Sequence, residues 1–387
     1  MIRRLATLLV LASLLSACSW FGDKDNAEPP AKLEPFKEQV RLHSLWSRDT
    51  GEGTNGKLVK LVPAVVGERV YAADRSGVVW AFELESGRKI WRSRTGIAIS
   101  AAVGVGEGLV LVGSSEADVV ALDADSGEQR WHTQVSSEIL SVPQIYEGVV
   151  VVQTVDGNVT GLDADNGTRL WIYDGSAPVL TLRGTSTPLV EQGAVMAGFA
   201  NGKIIALDAA SGRQLWEAQV AVPHGRSELQ RMVDIDANAV LRDGILYVVS
   251  YQGRLAAIDL QSGQLVWNRD MSAYAGIAVD ESQVYVSDAD SVVWALDRAT
   301  GASLWRQSKL RRRMLTGPAV VSAYVAVGDF EGYLHLLSRF DGSIVGRRKV
   351  DSDGIQAVPV ALGDRLLVLG AGGELVLYEL QAADDAS

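Results

Sequence analysis

The chain has 387 residues, 47% of them apolar, with 39 glycines, 10 prolines and a single cysteine. A formal net charge of −11 excludes a broad basic footprint for nucleic acid. The lone cysteine excludes a disulfide framework or a cysteine-based metal site.

The first element is an export signal. "MIRRLATLLVLASLLSAC" sets two arginines before an apolar run from Leu5 to Leu15 and small residues before Cys18. The "LSAC" ending resembles the lipobox of bacterial lipoproteins. That resemblance implies removal of residues 1–17 and acylation of Cys18, and two or more acyl chains give stable anchoring. Ser19 after the cysteine resembles the outer-membrane sorting pattern. Residues 18–39 carry charges and three prolines without a period and are expected to form a lipidated flexible tether. Beyond it, no apolar run reaches the roughly 18 residues of a membrane-spanning helix.

From here the sequence repeats itself. Asp123, Asp163, Asp208, Asp259 and Asp297 each precede a tryptophan by eight residues, at Trp131, Trp171, Trp216, Trp267 and Trp305. Glu83 leads to Trp91 in the same way, Ser338 leads only to Gly346, and Glu379 lies in the same slot near the C-terminus. Six residues before each slot stands a small residue: Gly77, Ala117, Gly157, Gly202, Gly253, Ser291, Gly332 and Gly373, at spacings of 40, 40, 45, 51, 38, 41 and 41. Alternating β-rich runs punctuated by Gly or Asp predict four short strands per unit. Such a unit is a propeller blade, which buries its faces only against its neighbours.

The expected fold is therefore all-β: an eight-bladed propeller of four-stranded antiparallel blades over residues 40–381, with 382–387 as a tail. The last unit lacks its own tryptophan strand, and Trp46 precedes any hairpin. Residues 41–48 are thus expected to complete the last blade and seal the ring. Trp91, Trp131, Trp171, Trp216, Trp267 and Trp305 are expected to wedge the seams between blades. The "DADSG" and "DADNG" turns suit an aspartate bonding its own backbone and a glycine at positive φ; they lack the closing Glu of a calcium loop.

The "A-[LI]-D-x-x-[ST]-G-x-x-x-W" hairpin resembles the tryptophan-docking repeat of the quinoprotein-like propellers. Within that superfamily the lipobox, "LTLRG" at 180–184, "RMVDIDA" at 231–237, "MLTGP" at 314–318 and "VGDFEGYLH" at 327–335 resemble the non-enzymatic accessory lipoproteins of the outer-membrane β-barrel assembly machinery. The resemblance implies a scaffold on the periplasmic face of the outer membrane that docks on the polypeptide-transport-associated (POTRA) domains of BamA, the central barrel subunit. It implies that Leu180, Leu182 and Arg183, with Asp234 and Asp236, form the docking surface. Exposed sheet edges could in addition take up unfolded outer-membrane client strands by β-augmentation. The residues themselves single out the same places. Residues 172–187 depart from the repeat, and 219–240 hold the longest insertion; such insertions collect on one face of a repeat array. The leucines could instead face a buried strand, and Arg183 could brace the aspartates.

Two other functions are compatible with a propeller of this kind. A quinone-dependent dehydrogenase needs a cofactor pocket, a metal and a general base. Here the four histidines are scattered and no nucleophile or phosphate-loop motif appears. A glycan-binding channel would draw on the tryptophans, but six of the ten occupy wedge slots. The expectation is a protein without catalysis, cofactor or metal. The basic run "KLRRRML" at 309–315 fits no role by sequence.

Overall fold

The computed structural model describes residues 28–175, 180 and 184–383. Each repeat turn closes on its own backbone. Asp123 Oδ1 accepts the N–H groups of Asp125 and Ser126 at 3.0 and 2.8 Å. The Gly127 N–H donates to the Asp123 carbonyl at 2.8 Å, with Gly127 at φ +74°, where a side chain would be strained. Asp163, Asp208, Asp259 and Asp297 repeat the arrangement. The acidic turns are therefore structural: their carboxylates are spent on their own hairpins.

Eight four-stranded antiparallel sheets result. Blades 1 to 7 span Ala64–Arg94, Gly104–Gln134, Gln144–Asp174, Leu189–Gln219, Val240–Asp270, Ile277–Gln307 and Ala319–Lys349. Blade 8 takes three strands from Val360–Ala382 and its outermost strand from Val40–Asp49. That strand pairs antiparallel with Glu374–Ala382, from Val40 opposite Ala382 to Asp49 opposite Glu374. The ring is closed as the sequence predicts, with pairing one residue longer than expected at its C-terminal end.

The seams explain the tryptophans. The indole N–H groups of Trp46, Trp91, Trp131, Trp171, Trp216, Trp267 and Trp305 each donate to a carbonyl of the following blade at 2.7–3.0 Å. Each ring lies on the glycine of that blade's turn; a Cβ on Gly167 would stand 2.7 Å from Trp131. Within its own sheet each of the six sequence-assigned wedges faces a small residue, as Ala121 faces Trp131 and Gly161 faces Trp171. Trp91, Trp131 and Trp171 are buried, whereas Trp216, Trp267 and Trp305 are half-buried. The eighth seam is built differently. Gly346 holds the tryptophan slot, with Leu336 opposite, and the incoming chain fills the space: a Cβ on Gly346 would stand 2.7 Å from the Val40 carbonyl, and the Gln39 N–H donates to Val345 O at 2.8 Å.

Antiparallel order puts the connections between blades on the same face as the turn between each blade's second and third strands. This loop face carries residues 50–63, 220–239 and 308–318, and the aspartate turns lie on the opposite face.

Residues 28–39, expected within a flexible tether, are seated on the propeller. They have no regular secondary structure but run beside blades 6 and 7. The Ala31 N–H donates to Arg311 O at 3.0 Å, Arg313 Nη1 donates to Ala31 O at 3.0 Å, and Leu33 packs against the core between those blades. Arg312 pairs with Glu28 at 2.7 Å and Lys309 with Glu34 at 3.0 Å. Much of the "KLRRRML" run thus holds the chain's own N-terminal segment. Cys18 and the rest of the expected tether lie outside the described residues.

Candidate functional site

The two deviant connections meet on the loop face. Residues 219–240 leave blade 4 through ten consecutive exposed residues, 222–231. This stretch holds itself in shape: Gln230 Oε1 accepts the Arg226 N–H at 2.9 Å, and Arg231 pairs with Glu228. The chain then turns inward at 232–237, and Asp234 and Asp236 become buried, at 1% and 8% exposure. A Cβ on Gly184, the last residue of "LTLRG", would lie 2.9 Å from the Asp236 carboxyl carbon. Leu180 is exposed. The structure therefore brings Gly184, the end of "LTLRG", onto Asp236, and buries both aspartates rather than leaving them on the outer surface. Leu182 and Arg183 lie outside the described residues.

Burial sets the electrostatics here. Desolvation and the neighbouring Asp234 push the Asp236 pKa from 3.8 up to about 7, against the pull of Lys60. Lys60 belongs to the connection before blade 1. Its ammonium reaches over to the connection before blade 6, where it donates to Tyr274 O at 3.1 Å; crowding by protein there lowers its pKa, against the attraction of Asp236. These two connections approach across the mouth of the ring. Among the described residues no cluster of three His, Cys, Asp or Glu side chains could hold a metal ion.

The sign of the Asp236 shift gives a test. Between 3.8 and about 7 the folded protein keeps a proton that the unfolded chain releases, so this carboxyl's contribution to stability is lost as pH rises through about 7. Asp236→Asn should therefore raise the unfolding midpoint at about pH 8, by a free energy on the order of 1–4 kcal/mol, with little effect near pH 4. Equal shifts at both pH values in thermal melts would contradict the assignment.

A buried ion cluster that the sequence did not reveal lies under the N-terminal segment. Asp329, fully buried, accepts Arg313 Nε at 2.8 Å, His335 Nε2 at 2.8 Å and the N–H groups of Glu331 and Tyr333 at 3.0 and 2.9 Å. Arg347 Nε donates to His335 Nδ1 at 3.2 Å, which fixes a neutral imidazole with its proton on Nε2. Burial lowers the His335 pKa further than Asp329 raises it. For Asp329, burial pushes the pKa up, but the hydrogen bonds from His335, Tyr333 and Arg313 hold it below the usual range. The charged residues were visible in "KLRRRML" and "VGDFEGYLH", but no local pattern says that they meet.

A closed eight-bladed ring with tryptophan-glycine seams is a propeller of the quinoprotein-like class. The methanol dehydrogenase described as europium-containing shares the fold at a TM-score of 0.73 and 14% identity, over 87% of this chain and 93% of its own. The match to the family described as "Outer membrane protein assembly factor BamB" covers residues 75–307 and 289–386. A relative so named from Pseudomonas aeruginosa is 50% identical, covering 97% of this chain and 98% of its own. One from Escherichia coli K12 is 35% identical, covering 94% and 96%. The crystal structure of BamB from Moraxella catarrhalis superposes with a TM-score of 0.81 at 28% identity, over 87% of this chain and 99% of its own. The chain belongs to the BamB family of outer membrane protein assembly factors.

Proposed function

We propose that this chain is a non-catalytic scaffold lipoprotein of the outer-membrane β-barrel assembly machinery. It is anchored at the periplasmic face of the outer membrane through Cys18 and docks on the POTRA domains of BamA. Family membership supports the assembly role, and the observation that carries the docking site is the contact between Gly184 and the buried Asp236. Leu180, Leu182 and Arg183 supply the contact surface in this reading. Asp234 and Asp236 are buried, and in this reading they act through the shape of the connection that carries them, 219–240. Apolar residues beside an arginine suit the centre of a small interface, where a few side chains carry most of the affinity.

Arg183→Glu should reduce co-purification of BamA with the detergent-solubilised protein by about tenfold, while circular dichroism and the unfolding midpoint stay unchanged. An unaltered yield of complex would remove this face from the docking site.

A further inference from the structure

The outer groove between blades 6 and 7 is filled by the chain itself. Residues 34–36 bound a hollow of about 330 Å³ together with Gln307, Lys309 and Arg347. Arg347 Nη1 donates to Glu34 O at 3.2 Å, and its guanidinium lies 4.9 Å from the centre of the Phe36 ring. Behind Arg347 stand His335 and Asp329, hydrogen-bonded in series. An aspartate, a ring and an arginine in line thus support a peptide segment without regular secondary structure.

The same column stands one blade earlier. In the repeat register Asp288, Trp294 and Arg306 correspond to Asp329, His335 and Arg347. Trp294 Nε1 donates to Asp288 Oδ2 at 2.8 Å, and the Arg306 guanidinium lies 5.7 Å from the Trp294 ring centre. The wall is repeated as well: Arg269 Nη1 donates to Gly301 O at 3.0 Å where Gln307 Nε2 donates to Gly342 O at 2.7 Å. Arg269 covers Trp294 from the blade 5 side at 5.6 Å. Arg269 Nη2 also reaches Ser303 Oγ at 2.9 Å, and beside it a hollow of about 440 Å³ opens toward the loop face, lined by Arg269, Met271 and Trp294 with the turns at Tyr251 and Asp288; Arg306 flanks it across the Trp294 ring. Trp294 is half-buried and Arg306 is exposed.

We propose that the groove between blades 5 and 6 binds a peptide segment of a partner protein, in the manner in which the next groove holds residues 34–36. An aromatic side chain of that segment stacks on Arg306, as Phe36 does on Arg347. The position corresponding to Glu34, two residues earlier, is apolar, because Met271 replaces the Lys309 that pairs with Glu34. Cation–π contact and the shape of the groove then select apolar–x–aromatic segments. This contact is separate from the "LTLRG" loop and does not depend on it.

The probe is a fluorescein-labelled peptide copying residues 30–38 with Glu34→Leu, titrated into the full chain by fluorescence anisotropy. Saturable binding is expected, weakened about tenfold by Arg306→Glu and unchanged by Arg347→Glu, with the unaltered Glu34 peptide also about tenfold weaker. Circular dichroism checks that both variants fold. Sensitivity to Arg347→Glu alone would mean that the peptide merely exchanges with the chain's own segment, and would overturn the proposal. So would an absence of binding at millimolar peptide. A dimer of this chain abolished by Arg306→Glu would assign the groove to a second copy and overturn it equally.

Discussion

Asp329→Ala should lower the stability of the protein by about 3–5 kcal/mol, among the largest effects of any single substitution away from the seams. The carboxylate is fully buried and accepts four hydrogen bonds, two of them from Arg313 and His335. Removing it strands the guanidinium of Arg313, which is 2% exposed, with only Glu331 and a carbonyl for partners. Asp329→Asn keeps one acceptor oxygen and should cost less. The acid response has a defined sign. The pKa values of His335 and Asp329 both lie below their ordinary values in the folded protein. Their stabilisation is therefore complete above the ordinary histidine pKa and is lost as pH falls. Denaturant melts of wild type and Asp329→Ala at neutral and acid pH measure both effects; a loss below about 1 kcal/mol would mean that water reaches the cluster.

Trp131→Ala is the second large effect, about 3–5 kcal/mol by removal of a buried aromatic ring. Trp131 is 6% exposed, rests on Gly167 and donates to Ala164 O at 2.7 Å, so the substitution opens a void between blades 2 and 3 and leaves a carbonyl without its donor. Trp131→Phe restores part of the volume but no N–H, and should recover part of the loss. Gly167→Ala attacks the same joint from the other side, since φ is +75° and the new methyl would stand 2.7 Å from the ring. Hydrogen exchange should show the loosening concentrated in blades 2 and 3. Uniform loosening around the ring would mean that the seams do not act locally.

The fold was legible because its determinants are local and repeated. An aspartate that caps its own turn, a glycine at positive φ and a tryptophan eight residues on define a hairpin within a dozen residues. Copies of it at near-constant spacing define a ring. Even the closure could be read, from Trp46 standing before the first hairpin and a last unit without its own tryptophan. What stayed hidden depends on residues far apart in the chain. Arg313 reads as one more charge in a basic loop until Asp329 and Ala31 are found beside it. Pro29, Pro30 and Pro35 read as a loose tether, yet the neighbouring Glu28, Glu34 and Phe36 meet Arg312, Lys309 and Arg347. At the candidate site the sequence singled out Asp234 and Asp236 through the insertion that carries them, but spacing says nothing of depth. The structure buries both, and at Asp236 burial makes the charged form costly.

Because the eighth sheet joins Val40–Asp49 to Glu374–Ala382, the first of the described strands to be synthesised waits for the last. Until the C-terminus emerges, two unpaired edges are exposed at once, each a template for mispairing. Pairing of these two strands is what covers both edges. A chain shortened by its final ten residues would lose Tyr378–Ala382, the partners of Val40–Ser44, and keep only the half of the closing pairing between Trp46–Asp49 and Glu374–Leu377.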